Sequence, residues 1–368
     1  MSVPQWDRPP MDIPENDLDL LHALLQIPCP SGREERMAAF VGESIEALGF
    51  PAHSDAQGNV WTLVNGRDKA AGAVAMASHM DEIAMVVHAI EDDGTLRVQR
   101  SGGLHPWKLG EGPVVLVGDG ESLVPAHLSF GSGHTNDPED PIAQFASGAR
   151  GIQWSHCRVL TGLTPDQLRA RGVHIGTCAV PDSASRGPHV FGPKEDPLVS
   201  AWILDNRGGT LTLLRLLEKI QRSGLQPQRA LYLCFMVQEE GGLLGAKGWA
   251  HRNPVETFIA VDSSPMPRGS QLALDGRPAT WSKDSGAHFH QGLIGELTRA
   301  TQRAGSELQY AVYGAAASDA TGVLQSGLAP RAATIGYPRA NSHGYEVCRL
   351  SVFQHLVDTL FAYVEDLA

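Results

Sequence analysis

The sequence lacks any apolar run of the roughly 18 residues that a membrane-spanning helix needs. Its start, Met1 to Pro14, is polar and rich in proline, so it also lacks the basic segment and apolar stretch of a secretion signal. We therefore predict a cytoplasmic protein without a membrane partner.

Cysteine and positive charge are both in short supply. The five cysteines are widely spaced and form no CxxC pair, which argues against a disulfide framework and against a structural zinc knuckle. Lys and Arg total 29 against 41 Asp and Glu, so the formal net charge is -12. This surplus of negative charge repels phosphate backbones, which argues against nucleic-acid partners, and it suits a site that binds cations.

Apolar sequence is plentiful enough for a full core. The chain has 368 residues, 42% of them hydrophobic, which indicates two domains or one domain with an insertion. Between 91 and 194, short β-like pieces are separated by Gly, Pro, Asp and Ser clusters, whereas 1–90 and 195–368 alternate helical periodicity with apolar runs. We predict an α/β fold, an α/β/α domain with a mixed central sheet that is interrupted by a small inserted β domain.

Three polar clusters follow runs that are typical of buried strands. The clusters and the runs that precede them are His79-Met80-Asp81 after Ala73 to Ala77, Glu239-Glu240 after Leu231 to Val237, and Asp262 after Thr257 to Val261. Ligands of open α/β sheets bind at the carboxyl ends of the strands, so these clusters are expected to converge. Upstream, Ser31 and Glu34 form a capping-box pattern that predicts the start of a helix.

The converging residues match what a two-metal hydrolase requires. Such a site needs a carboxylate that bridges two cations about 3.5 to 4 Å apart, His and carboxylate ligands for each ion, and a base for the shared water. Our hypothesis assigns His79 and Asp262 to one metal ion, Glu240 and His343 to the other, and Asp205 to the bridge.

Two further residues complete the predicted chemistry. Asp81 would accept the second ring N–H of His79, which fixes the tautomer of the imidazole and raises its basicity. Glu239 would remain free of the metals, take a proton from the water as general base and pass it to the departing amine.

Each of these motifs has a plain structural explanation when it is taken alone. Asp205 could cap the helix that follows it, and Glu239 and Glu240 could lie in a solvated turn. Asp262 could form an Asx-type turn, and His343 could be a polar loop residue. Their joint occurrence in this order favours the metal centre.

At these residues the chain resembles the M42 family of metallo-aminopeptidases. The resemblance runs over nearly the whole chain and is carried by His79-Met80-Asp81-Glu82-Ile83, Ile203 to Gly208, Gln238 to Gly241 with Gly245-Ala246, Val261-Asp262, Ser318-Asp319-Ala320, and Ser342-His343 with Glu346. It implies an aminopeptidase that acts on peptides with free N-termini. It also implies that the inserted β domain makes dimer contacts and that dimers assemble into a dodecamer.

Metal identity and side-chain preference stay open in the sequence. Zinc is the default for sites of His and carboxylate, and cobalt or manganese also fit. Where the family often has an Arg-Tyr pair before its final His, this chain reads Pro338 to Ser342, which bears on the choice of substrate. Asp319 has two interpretations, a contact with the substrate amine or a ligand, and an N-cap for the helix that follows.

The nearest alternative is an M20-like deacylase or dipeptidase. That group uses almost the same ligands but carries its extra domain between the third carboxylate ligand and the final His. Here the interval from Asp262 to His343 is too short for such a domain, whereas that from His79 to Asp205 is long enough. A nonhydrolytic module on the same scaffold would have lost a ligand or the base, and all of them are present.

Overall fold

The computed structural model describes residues 13 to 366, apart from Glu15 and Ala149. Most of the N-terminal segment on which the prediction about a secretion signal depends, residues 1 to 12, lies outside the described residues. The helices are α1 (Asp17–Leu25), α2 (Glu35–Ala47), α3 (Pro106–Leu109), α4 (Pro141–Ala146), α5 (Pro165–Arg169), α6 (Leu204–Ser223), α7 (Leu244–Arg252), α8 (Gln291–Arg303), α9 (Asp319–Gln325) and α10 (Ser351–Asp366).

The strands form three sheets. The largest contains β1 (His53–Ser54), β2 (Val60–Val64), β3 (Val74–His79), β12 (Leu231–Met236), β13 (Thr257–Pro265), β14 (Ala279–Lys283), β15 (Gln309–Val312) and β16 (Arg331–Arg339), and a small sheet contains β10 (His189–Phe191), β11 (Leu198–Trp202) and β17 (Tyr345–Arg349). A closed barrel contains β4 (Ala84–Ile90), β5 (Leu96–Ser101), β6 (Gly112–Val117), β7 (Leu123–Ser129), β8 (Arg158–Leu160) and β9 (Cys178–Pro181).

The largest sheet is mixed, with a parallel centre. Its strand order is β1-β2-β12-β3-β13-β16-β14-β15, and the four central strands from β12 to β16 run parallel to one another. Every residue of β3 is buried, as expected for apolar strands covered on both faces. The predicted α/β fold with a mixed sheet is therefore confirmed, and the carboxyl ends of β3, β12 and β13 lie side by side.

Long amphipathic helices cover this sheet. Helix α6 packs against β3, β13 and α10, and α10 also packs against α8, while α7 and α9 pack together and α9 contacts β13 and β16. Their buried leucine, valine and phenylalanine side chains join those of the strands in one large core. Within the described part of the chain, no helix is both long enough and apolar enough to cross a bilayer.

The barrel is antiparallel throughout and has its own small core. Four residues separate the end of β3 from the first barrel strand, and the chain leaves the barrel before β10, so the barrel interrupts the elements of the largest sheet. Val87, Val98, Leu116 and Val159 are among the fully buried side chains inside it. Its strands run from residue 84 to residue 181, whereas the predicted insertion is 91–194, and the division into domains stays a prediction.

Two local predictions are wrong in detail. Helix α2 begins at Glu35 without a side-chain cap, and Ser31 does not cap it because its hydroxyl donates a hydrogen bond to the buried carboxylate of Asp81, at 2.6 Å. Strand β13 does not end before Asp262 but continues to Pro265, because its pairing with β16 extends through this stretch.

The pairing of β13 with β16 leaves no room for a side chain at Gly336. This residue lies opposite Asp262, and an added Cβ would overlap the carbonyl oxygen of Asp262. We expect Gly336→Ala to lower the free energy of unfolding by about 3 kcal/mol, because neither backbone can yield without breaking the ladder. Urea denaturation measures the change.

The matched control for this substitution is Gly42→Ala in helix α2. An added Cβ there meets no atom within 4 Å, and alanine is favoured over glycine in helices by about 1 kcal/mol. Equal denaturation midpoints for the two variants would contradict the tight approach at Gly336.

Candidate metal centre

Asp205 lies at the centre of the site, in the first turn of α6. Its backbone N–H donates to Glu346 Oε2 at 2.8 Å, and its side-chain Oδ2 accepts from Arg339 Nη2 at 2.6 Å. Arg339 also donates to the other oxygen of Glu346, at 2.6 Å. Residues from β16 and β17 thus hold both the backbone and the carboxylate of Asp205, which is joined to Asn206 by a cis peptide bond.

The first group of candidate ligands comprises His79, Asp205 and Asp262. Each offers a donor atom, and the three atoms lie within 4.8 Å of one another. The Nε2 atom of His79 is 3.2 Å from Asp205 Oδ1 and 4.0 Å from Asp262 Oδ1. All three residues are buried, His79 at the last position of β3 and Asp262 on the neighbouring β13.

The second group comprises Asp205, Glu240 and His343, whose donor atoms also lie within 4.8 Å of one another. His343 Nε2 is 3.5 Å from Glu240 Oε1 and 3.9 Å from Asp205 Oδ2. The backbone N–H of His343 donates to Glu346 Oε1 at 2.9 Å, so Glu346 orients both His343 and Asp205.

Both histidines present Nε2 to the carboxylates because Nδ1 is held by a backbone carbonyl. His79 Nδ1 lies 3.1 Å from the carbonyl oxygen of Asp81, and His343 Nδ1 lies 3.2 Å from that of Gly103. A carbonyl oxygen only accepts hydrogen bonds, so each Nδ1 carries the hydrogen. In the neutral ring each Nε2 is therefore unprotonated, and it faces the carboxylates of the candidate ligands. A Cβ at position 103 would overlap the His343 ring, which explains the glycine.

Asp81 does more than the predicted contact with His79. Its Oδ1 lies 3.4 Å from His79 Nδ1, and its two oxygens accept the backbone N–H groups of Glu239 and Glu240 at 3.0 and 3.1 Å. Ser31 supplies the further hydrogen bond described above. One buried carboxylate therefore sets the position of His79 and the directions of the two adjacent glutamates.

Glu239 faces the first group without belonging to either. Its Oε2 is 3.9 Å from His79 Nε2, and its side chain lines the same cavity as the ligand candidates. Glu239 is buried and lies apart from both groups of candidate ligands, as expected of a general base. Its role as the base stays a prediction.

The site contains more buried carboxylates than the positively charged side chains around them can balance. Burial, and after it the neighbouring Asp205 carboxylate, raise the pKa of Glu240 to about 8. Burial also raises the pKa values of Glu239 and Asp262 well above their usual range. Asp205 is the exception, since the Arg339 guanidinium and His79 outweigh burial and hold its pKa well below the usual range.

This imbalance fits divalent cations. Buried carboxylates are costly unless they are paired or coordinate a metal. Although burial lowers the pKa of His79, the surrounding carboxylates raise it overall, so they attract a positive charge to the place that Nε2 faces. Imidazole and carboxylate donors in two groups with one shared member suit a pair of borderline cations. The two groups coincide with the predicted ligand sets, and ligation itself stays a prediction.

Several residues of the site have roles that sequence reasoning missed. Arg339 lies in the segment Pro338 to Ser342, which the sequence connected only with substrate choice, yet it is buried against Asp205 and Glu346. Glu346 carried no assigned role, although its spacing of three residues from His343 was visible in the sequence. Asp319 is the first residue of α9, whose N-cap is Ser318, and burial raises the pKa of its carboxyl to about 7.

A second buried network ties the site to the rest of the chain. Glu82 Oε1 accepts from Arg186 at 2.9 Å, from Arg207 at 3.2 Å and from the backbone N–H of Cys29 at 2.8 Å. Arg207 also donates to the backbone carbonyls of Met80 and Ile27. These bonds join the segment after β3 to the start of α6, so they set His79 relative to Asp205.

Comparison with known proteins identifies similar sequences over most of the chain. Residues 58–358 match the family model described as M42 glutamyl aminopeptidase. A protein of Acetivibrio thermocellus that is named as an aminopeptidase is 26% identical over 314 residues, which cover 83% of this chain and 85% of that protein. The glutamyl aminopeptidase of Lactococcus lactis is 27% identical over 262 residues, covering 67% of this chain and 66% of that enzyme.

Solved structures share the fold. The TET1 peptidase of Pyrococcus horikoshii, which can assemble into a tetrahedron or a large octahedral shell, superposes with a TM-score of 0.82. It is 22% identical in sequence, and the match covers 95% of this chain and 99% of that chain.

Proposed function

The chain belongs to the M42 glutamyl aminopeptidase family and removes N-terminal residues from peptides, and we propose that it does so with two divalent cations. Family membership implies divalent metal. The observation that supports a pair is the position of Asp205, whose two carboxylate oxygens face different donor groups. The proposed ligands are His79 and Asp262 for one ion, Glu240 and His343 for the other, and Asp205 for both.

The proposed mechanism assigns separate tasks to the adjacent glutamates. Divalent cations held by these ligands would supply Lewis acidity, which would lower the pKa of the attacking water and polarise the scissile carbonyl. Glu239 takes a proton from the attacking water and donates it to the departing amine. Asp81 acts through position, because it holds the backbone of both glutamates and adjoins the ring of His79.

The metal, the assembly and the location are further parts of the proposal. We propose zinc as the native metal, with cobalt and manganese as substitutes, because His and carboxylate ligands accept all three. We also propose that the barrel is the inserted dimerisation domain, which is supported by the exposed apolar side chains of Leu160, at 46%, and Ile175, at 67%. One dimer on each edge of a tetrahedron makes a dodecamer. Cytoplasmic location stays a prediction from the sequence.

The experiment that tests the activity compares matched peptides with free and acetylated N-termini. Purified protein is treated with chelator, loaded with Zn, Co or Mn in turn, and assayed on both peptides. We expect hydrolysis of the free peptide alone, and its loss when chelator is present. Hydrolysis of the acetylated peptide alone would instead support the M20-like deacylase.

Glu239→Gln separates catalysis from metal binding. The amide keeps the size of the side chain but cannot accept the proton, so turnover should fall by about two to four orders of magnitude. Metal content, measured by atomic emission after dialysis, should stay at two ions per chain. A variant that retains wild-type turnover would remove Glu239 from the mechanism.

Asp205→Asn tests the bridge, because an amide offers one oxygen where the carboxylate offers two. Both ions should bind more weakly, and titration calorimetry should show the two affinities falling together. Asp262→Asn is the matched comparison, since it should weaken the first group alone. Loss of only one ion in Asp205→Asn would contradict the bridging role.

A further inference from the structure

The candidate ligands open into a cavity of about 950 Å³ with one strongly apolar side. We call this side the apolar wall, and its members are Pro265, Met266, Trp281, Val312, Tyr313 and Ala316. They lie on and after β13, on β14 and β15, and in the loop that leads to α9. The wall therefore continues from Asp262, which lies three residues before Pro265 on β13.

The polar atoms of the wall are bonded within the protein. Tyr313 donates its hydroxyl hydrogen to the carbonyl oxygen of Pro265 at 2.8 Å, and Trp281 Nε1 donates to Ser264 Oγ at 3.0 Å. The two rings meet edge to face, with their centroids 4.8 Å apart. The wall thus offers hydrocarbon surface to a ligand, because its hydrogen-bonding groups are already engaged.

The cations that line the cavity are not part of this wall. Arg339 is 2% exposed and is bound to Asp205 and Glu346, so it is committed to the site itself. Lys108 is the other Lys or Arg among the described lining residues, and it belongs to α3. Its stem packs beside Gly344, next to His343, whereas the wall adjoins Asp262. The cation and the wall thus flank different donor groups.

We propose that the apolar wall receives the side chain of the substrate's N-terminal residue and selects an uncharged, apolar one. This inference rests on the proposed function, since it names the substrate class of the same site. A leucine or methionine side chain loses water-exposed apolar surface against the wall, which is favourable. A glutamate or lysine side chain would lose its hydration there without gaining a partner, which is costly.

The Lactococcus lactis relative is named for N-terminal glutamate. The preference proposed for this chain is different, because it is for apolar residues. Tripeptide amides X-Ala-Ala with X as Leu, Met, Glu or Lys test it, because the amide removes the C-terminal carboxylate that Lys108 would otherwise attract. We expect kcat/KM for Leu and Met to exceed that for Glu and Lys by at least about tenfold.

Val312 allows the preference to be redirected. Its side chain is 70% exposed at the rim of the cavity, so a charged replacement is tolerated in the fold. Val312→Lys should raise the Glu to Leu ratio of kcat/KM by about tenfold, and Val312→Glu should raise the Lys to Leu ratio by a similar factor. Opposite shifts from opposite charges are not expected from damage to the fold.

Tyr310→Lys is the matched control. Tyr310 precedes Val312 by two residues on β15, and it is 51% exposed but does not line the cavity. The control should keep the wild-type ratios. The inference is overturned if both Val312 variants keep the wild-type ratios of kcat/KM. It is also overturned if the wild-type enzyme prefers the Glu peptide and the Lys108→Ala variant no longer does.

Failure of the inference and failure of the proposed function give different results. Hydrolysis of the whole panel with Glu or Lys ahead of Leu overturns the inference and leaves the aminopeptidase mechanism intact. An enzyme loaded with Zn, Co or Mn that cleaves none of the free tripeptide amides overturns the two-cation proposal and, with it, the inference.

Discussion

Asp205 is shared by the two donor groups, and the rest of the site is arranged to hold that one carboxylate in place. Arg339 binds one of its oxygens, His79 approaches the other, and Glu346 accepts its backbone N–H. The same Glu346 orients His343. A shift of the carboxylate would therefore change both groups at once, which explains why its neighbours are buried and hydrogen-bonded on several sides.

The arrangement around Asp205 also concentrates negative charge at the site. Four carboxylates with little solvent exposure converge at the site, and Arg339 offsets only Asp205 and Glu346. Burial raises the pKa values of Glu239, Glu240 and Asp262 despite the neighbouring His79, so their negative charge is costly without a further cation. Divalent cations would balance this charge and also supply the Lewis acidity that amide hydrolysis needs.

The barrel contributes directly to the site. The turn that follows β5 brings the Gly103 carbonyl to His343 Nδ1, and α3 brings Lys108 to the edge of the cavity. The opposite part of the cavity is built by the end of β13, by β14 and β15, and by the loop that leads to α9. The two sides differ in chemistry, one with a cation and one apolar, so the fold itself separates the surroundings of the two donor groups.

The sequence by itself determined the chemistry of the site and its order along the chain. Apolar runs followed by polar residues pointed to five of the seven predicted site residues, because parallel strands bring their carboxyl ends to one edge, whereas Asp205 and His343 followed only from the ligand set that a two-metal site requires. Local patterns were weaker evidence: Ser31 had the spacing of a helix cap, but its hydroxyl binds a carboxylate fifty positions away in sequence. Only the tertiary structure decided the partners of Arg339 and Glu82, the contacts of Asp81 beyond His79, and the apolar character of the wall. These depend on contacts between segments that are distant in sequence, and no local spacing records such contacts.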